Sequence, residues 1–145
     1  MAGTRGYRFL EHTTDAYIEA WGPDLEGAFS SAAEALFETM LDLSSIQPVL
    51  KEEIMVEGHD ELELLYNWLE TLLLRLDING YAFSMFHVDP VSHSENSFKL
   101  HAIVSGEKFD RNKHGGKTEV KGVTYHLMRV EKRDALVSVR FILDL

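Results

Sequence analysis

Short alternating apolar runs set around two longer helical stripes predict an α+β fold: two helices packed on antiparallel sheets, in a single domain spanning residues 1–145. Three observations carry this. Apolar residues recur at three- and four-residue spacing from Leu25 to Met40 and again from Leu62 to Leu76, the period of a helix with one buried face. The apolar residues of about seven other segments alternate with polar ones or form short blocks, the pattern of strands. The connections are short, and no Pro- or Ser-rich linker or change of composition divides the chain. A length of 145 residues suffices for one hydrophobic core, and a hydrophobic content of 45% argues against disorder.

The chain opens with two expected strands, Tyr7 to Leu10 and Ala16 to Trp21, on either side of a polar corner from Glu11 to Asp15. Burying five such groups without partners would cost on the order of 2 kcal/mol each, so the corner is solvated or binds something. Gly22-Pro23-Asp24 ends the second strand, and Asp24 suits the positive end of a helix. Leu25, Ala28, Phe29, Ala32, Leu36, Phe37 and Met40 form one stripe, with Glu26, Ser30, Glu34 and Glu38 away from it, and Asp42 to Pro48 ends that helix. Val49 to Glu57 alternates as a strand. Asp60 follows as an N-cap, with Glu63 three residues on as a partial capping box. The second helix carries Leu62, Leu65, Leu69, Leu72, Leu73 and Leu76, with Trp68 on its shoulder, and closes at Asn79-Gly80. Tyr81 to Val88 and Ser97 to Ser105 are expected strands joined by a polar, mobile link, 89–96. Gly106 to Thr118 is expected as a charged loop. Val120 to Val130 and Ala135 to Leu143 are the last two strands, joined by a hairpin at Glu131 to Asp134. The order strand, strand, helix, strand, then helix, strand, strand hints at an internal duplication, although no sequence repeat is visible.

The net charge of −10 disfavours a sequence-independent grip on nucleic-acid phosphates and favours cations or a basic protein surface as partners. Direct nucleic-acid binding is therefore not expected. With no cysteine there is no disulfide framework, thiolate metal site or cysteine nucleophile. No apolar run approaches the roughly 18 residues of a membrane span, and the first residues lack an apolar signal core, so the expectation is a soluble cytoplasmic protein without membrane contact.

Asp15 and Asp144 are the leading candidates for chemistry. Asp144 directly follows the apolar strand Val139 to Leu143, and with Leu145 it groups side-chain and main-chain oxygens. Hard cations take several such oxygens at roughly 2.0–2.6 Å. If the first and last strands are neighbours, the two acids share one cation; otherwise Asp15 is a turn acid and Asp144 a frayed terminal charge. Among the histidines, His59 and His93 fall in loops, and His87 and His101 in strands, solvent-facing or satisfied in the core. His12, His114 and His126 each sit among other polar groups at a loop or strand end. No pair has the spacing of a helical zinc site. Lys108, Arg111, Lys113, His114 and Lys117 make a basic tip, read either as a solvated loop or as a contact for phosphate or an acidic surface. Phosphate-loop, dinucleotide and nucleophile-elbow motifs are absent, and no catalytic constellation is legible.

Phe9-Leu10-Glu11-His12-Thr13-Thr14-Asp15, the helix Ala28 to Phe37, Val120-Lys121-Gly122-Val123-Thr124-Tyr125-His126 and the terminus Phe141-Ile142-Leu143-Asp144-Leu145 together resemble the archease family from about residue 7 onward. Gly122 stands where Ala is more usual. The resemblance implies two nested strand-helix-strand-strand modules. It also implies a non-enzymatic activator of the RtcB-type RNA ligase that joins tRNA exon halves, promoting the ligase's guanylylation and multiple turnover. A divalent cation, calcium or else magnesium or manganese, would be held by Asp15, Asp144 and Leu145. His12, His114, Lys121 and His126 are candidates for a supporting or partner-facing role. An alternative is a chaperone or adaptor that prevents aggregation of a tRNA-modifying enzyme such as a tRNA methyltransferase. A metal-dependent hydrolase using the same acids lacks an evident base or nucleophile.

Overall fold

Each long helix starts at an aspartate two residues after a glycine. Asp24 Oδ1 accepts from Gly27 N at 2.7 Å, and Asp60 Oδ1 accepts from Glu63 N at 2.8 Å, while Glu63 reaches back one residue beyond the cap to accept from His59 N, a variant of the expected capping box. The glycines are there for space. A Cβ on Gly22 would lie 2.5 Å from the Gly27 carbonyl carbon, and one on Gly58 2.6 Å from Leu64 N. The computed structural model that shows this describes residues 4–12 and 14–145. Its strands are β1 (Gly6–Leu10), β2 (Ala16–Gly22), β3 (Leu50–Gly58), β4 (Tyr81–Val88), β5 (Ser92–Ser94), β6 (Ser97–Lys108), β7 (Gly122–Arg133) and β8 (Leu136–Asp144). Its helices are α1 (Leu25–Met40), α2 (Glu61–Asn79) and the single-turn α3 (Arg111–His114), with a 3-10 turn at Leu43–Ser45.

The fold is α+β with two antiparallel sheets. One has the order β1-β2-β8-β7; the other has β3-β6-β4, with β5 also paired to β6. The nesting is now explicit. The outer module is β2, α1, β7, β8, and the inner module is β3, α2, β4, β6, inserted after α1. In both, the last strand of the module lies between the other two, as β2-β8-β7 and as β3-β6-β4.

The helices form a layer between the sheets: α1 touches β2 and β8 on one side and β4 on the other, and α2 touches β7 as well as β3. The single apolar stripe expected for the first helix is therefore too narrow. Ten of the sixteen residues of α1 are buried, Ser30 among them. Ser30 Oγ donates to Phe86 O at 2.9 Å and Ser31 Oγ to Trp21 O at 3.0 Å, so each hydroxyl is satisfied by a different sheet. The alanines at 28, 32, 33 and 35 let both sheets approach the helix closely. Trp68 is not on the shoulder of α2. It is wholly buried, and its indole N–H donates to Phe29 O at 3.0 Å, joining the helices. Gly80 takes φ 73°, the left-handed cap that ends α2.

The connections depart further from expectation. The link at 89–96 contains β5, which forms a tight hairpin with β6 and is tied to α1 by Val91 N donating to Glu26 at 2.6 Å. β6 runs on to Lys108, and α3 occupies the expected loop. β7 and β8 extend to a turn at Asp134 and Ala135. No helix among the described residues is long and apolar enough to cross a membrane.

Candidate functional site

α1 runs back along β2, so its C-terminus, the 3-10 turn and the start of β3 lie at the same end of the molecule as the start of β2. Main-chain bonds stitch this end together. Asp42 N donates to His114 O at 3.0 Å, Lys117 N to Met40 O at 2.8 Å, and Lys121 N to Asp144 O at 2.7 Å. Here the two candidate acids meet. Ala16 pairs with Leu143, and one backbone step further brings Asp15 to the last residues of β8. Leu145 N donates to Asp15 Oδ1 at 3.4 Å. The neighbour of β8 is the second strand, not the first, because β1 is the edge.

Asp144 is exposed and Asp15 half-buried, and among the described residues neither belongs to an ion pair. Among the described residues no three His, Cys, Asp or Glu side chains converge as a cage for a metal. A cation here would therefore have two carboxylates, main-chain oxygens of Leu145 and water. That all-oxygen, partly hydrated set suits calcium or magnesium better than zinc.

The other predicted residues divide. His12 is exposed and sits edge-on to Tyr17, ring centroids 6.0 Å apart. Lys121 is exposed beside Asp144. His126 is exposed in a bulge of β7, where the pairing slips between Thr124 and Arg129 and Leu127 takes φ 57°. Its neighbour Tyr125 stacks on Tyr66 of α2 at 4.4 Å. Thr13 of the corner lies outside the described residues.

His114 is wholly buried, so of its two expected roles the partner-facing one falls away and the supporting one is left. Asp110 N–H donates to Nδ1 at 2.9 Å, which leaves the ring proton on Nε2 to be given to Glu107 at 2.7 Å. The basic tip is likewise partly spent inside the protein. Lys113 Nζ donates to Glu107 at 2.9 Å, and Lys117 Nζ to Glu38 at 2.8 Å. Bonds from Lys113, Gln47 N and His114 hold the Glu107 carboxyl at about 2. Sequence reasoning missed Glu107, because its partners come from two other segments, Gln47 before β3 and Lys113 and His114 of α3, and no periodicity links them. In the second sheet, ring N–H bonds to Glu53 at 2.7 Å and Asp89 at 2.6 Å hold His101 above the ordinary imidazole range.

A fold of helices layered between two antiparallel sheets, built from one module nested in another, has known counterparts. The Archease protein family (MTH1598/TM1083) matches residues 7–145. The protein archease of Sulfurisphaera tokodaii is 40% identical over 139 residues, covering 96% of this chain and 98% of that one. That of Pyrococcus abyssi is 43% identical over 126 residues, covering 87% and 88%. The solution structure of Methanobacterium thermoautotrophicum protein 1598 superimposes with a TM-score of 0.81 at 33% identity, covering 97% of this chain and 99% of its own. A crystal structure of an archease, described as a possible chaperone, from Thermotoga maritima shares the fold with a TM-score of 0.60 at 21% identity. The chain belongs to the archease family.

Proposed function

We propose that this archease is a non-enzymatic activator of an RtcB-type tRNA-splicing ligase, acting in the cytoplasm to promote the ligase's guanylylation and multiple turnover. A divalent cation, calcium or alternatively magnesium or manganese, is held by Asp15, Asp144 and Leu145. The observation that carries the metal is the pairing of β2 with β8, which ends with Leu145 N donating to Asp15 and, among the described residues, two carboxylates at one sheet end that form no ion pair. Like charges left together cost free energy that a bound cation removes. When bound, that cation supplies a fixed positive charge at an acidic tip. The residues do the rest: Asp15 secures the main chain of Leu145, Lys121 N secures that of Asp144, and exposed His12 and Lys121 flank the tip as the face offered to the ligase, with exposed His126 farther along β7. Family membership supports the ligase as partner.

A second reading, a chaperone or adaptor for a tRNA methyltransferase, draws on the bulge. Tyr125 and Leu127 are 51% and 46% exposed there, apolar surface that a client could cover.

Ligase turnover measured with and without this protein, across a series of divalent ions, tests the first reading. Asp15→Ala or Asp144→Ala is expected to abolish the stimulation while circular dichroism stays unchanged. Full stimulation by either variant rejects the metal-centred mechanism. Suppression of methyltransferase aggregation that persists in excess chelator favours the second reading.

A further inference from the structure

The solvent face of the outer sheet carries a shallow trough of ≈530 Å3. Strand register builds it in rows. Arg8, Glu19, Arg140 and Arg129 lie side by side across β1, β2, β8 and β7; Gly6, Trp21, Ser138 and Glu131 form the next row, and Leu136 and Arg133 the third. Four of the chain's seven arginines thus share one sheet face in a protein of net charge −10. Glu19, little exposed, accepts from Arg8 Nε at 2.8 Å and from Arg140 Nε at 3.0 Å. Both bonds run through Nε, so one carboxylate orients two guanidinium forks without consuming their terminal nitrogens. The indole of Trp21 lies over the Gly6 backbone, where a Cβ would meet its Cζ2 at 2.8 Å, and so floors the trough beside the forks.

We infer that this trough docks an acidic peptide segment of a partner protein. Its carboxylates pair with Arg8, Arg140 and Arg133, and an apolar side chain between them rests on Trp21 and Leu136, which is itself 41% exposed. The planar fork of Arg matches a carboxylate with two parallel bonds. A peptide fits the charge pattern better than a nucleic acid does. The overall negative charge repels a polyanion at long range, and Glu19 and Glu131 interrupt the basic surface where successive phosphates would pass. A peptide brings its charges singly with apolar groups between them. Glu19 is four residues along β2 from Asp15, roughly 13 Å, so the trough is separate from the candidate metal end and does not depend on it.

The probe is a short labelled peptide alternating Asp and Leu, titrated into the full chain by fluorescence anisotropy. It is expected to bind, and its Asn-for-Asp counterpart is not. Arg8→Gln and Arg140→Gln should each weaken binding about tenfold, the worth of one charge-assisted pair. Lys51→Ala, a cation lost from the other sheet, should leave it unchanged. Trp68 is wholly buried, so a change in indole emission on adding peptide to the intact protein reports Trp21 without any substitution that threatens folding. No binding, no change in emission, equal binding of the Asn peptide, or an equal loss in Lys51→Ala overturns the inference. Tighter, arginine-dependent binding of an oligouridylate of the same length also overturns it and assigns the trough to RNA.

Discussion

The two modules put an acid at the same place and treat it in opposite ways. One residue past the first cross-strand pair of the outer module, Ala16 with Leu143, stands Asp144; one residue past the first pair of the inner module, Leu50 with Gly106, stands Glu107. Glu107 is enclosed by the protein's own donors, with Lys113 Nζ at 2.9 Å, Gln47 N at 3.0 Å and His114 Nε2 at 2.7 Å. Asp144 has its main-chain oxygen bonded by Lys121 N, while its side chain is exposed. Both ends sit at the same pole of the molecule. The two modules of like topology thus each place an acid at the corresponding position. One module neutralises it from within through α3, and in our reading the other leaves it for an ion from outside.

The largest expected effects test whether the modules are equivalent at all. Gly22→Ala and Gly58→Ala each drive a Cβ into backbone of the following helix, at 2.5 and 2.6 Å, and neither helix can retreat from the sheets that clamp it. Each should cost about 3 kcal/mol, the upper end for overpacking, in urea unfolding. A large loss at one glycine and none at the other would break the equivalence. His114→Ala comes next. It strips Glu107 of a partner and leaves Asp110 N unpaired, for about 2 kcal/mol. Asp144→Ala, at an exposed position, should stay within about 0.5 kcal/mol in metal-free buffer. If Asp144→Ala were as costly as His114→Ala, the outer end would be as self-contained as the inner one.

Much of this comparison was legible in the sequence, and the part that was not has physical causes. Both helices, their aspartate caps and the Gly80 stop follow from local rules that act within one turn. The Gly-x-Asp shared by Gly22-Pro23-Asp24 and Gly58-His59-Asp60 is the one sequence trace of the duplication. It was easy to overlook because a three-residue match has little weight until both glycines are seen to face a helix. The pairing of Asp15 with Asp144 was an inference from charge at strand ends; the register of β2 on β8 brings Leu145 N within 3.4 Å of Asp15, and a shared cation there is our proposal. Ser30 and Trp68 were misplaced for one reason. A helix with a sheet on each side buries more than the stripe that periodicity marks, and the polar atoms buried there find partners across the layer, Ser30 in the second sheet and Trp68 in the other helix. His114 was misplaced because its neighbours Glu107, Asp110 and Gln47 converge only after β6 overruns the expected loop and α3 turns back upon it.

Smaller effects sharpen the contrast in ion dependence. Calcium at ten times its dissociation constant should stabilise the chain by about 1.4 kcal/mol, read as a rise in Tm. Asp144→Ala should erase that gain and Glu107→Gln should retain it. Loss of the gain in both variants would mean that the ion bridges the two ends, and loss in Glu107→Gln alone would move the site to the inner module.

The smallest effect is on the acid limb, and its sign is set by the inner end. Glu107 is held at about 2 by Lys113, Gln47 N and His114 against an ordinary value of 4.5, so protonating it is opposed by the folded state. Its stabilisation is complete above about pH 4.5 and drains away as the pH falls toward 2. Glu107→Gln lacks this carboxylate. It should therefore be less stable than the parent at pH 7, yet lose less of its remaining stability between pH 5 and 2. Glu19, Glu63 and Asp89 are also held low, so the slope should shrink without vanishing. Thermal melts at half-unit pH steps measure the two limbs. Parallel acid limbs for parent and variant would mean that Lys113 and His114 do not close over Glu107 in solution. The two sheet ends would then be alike in leaving an acid open, and the asymmetry on which the outer site's assignment leans would be gone.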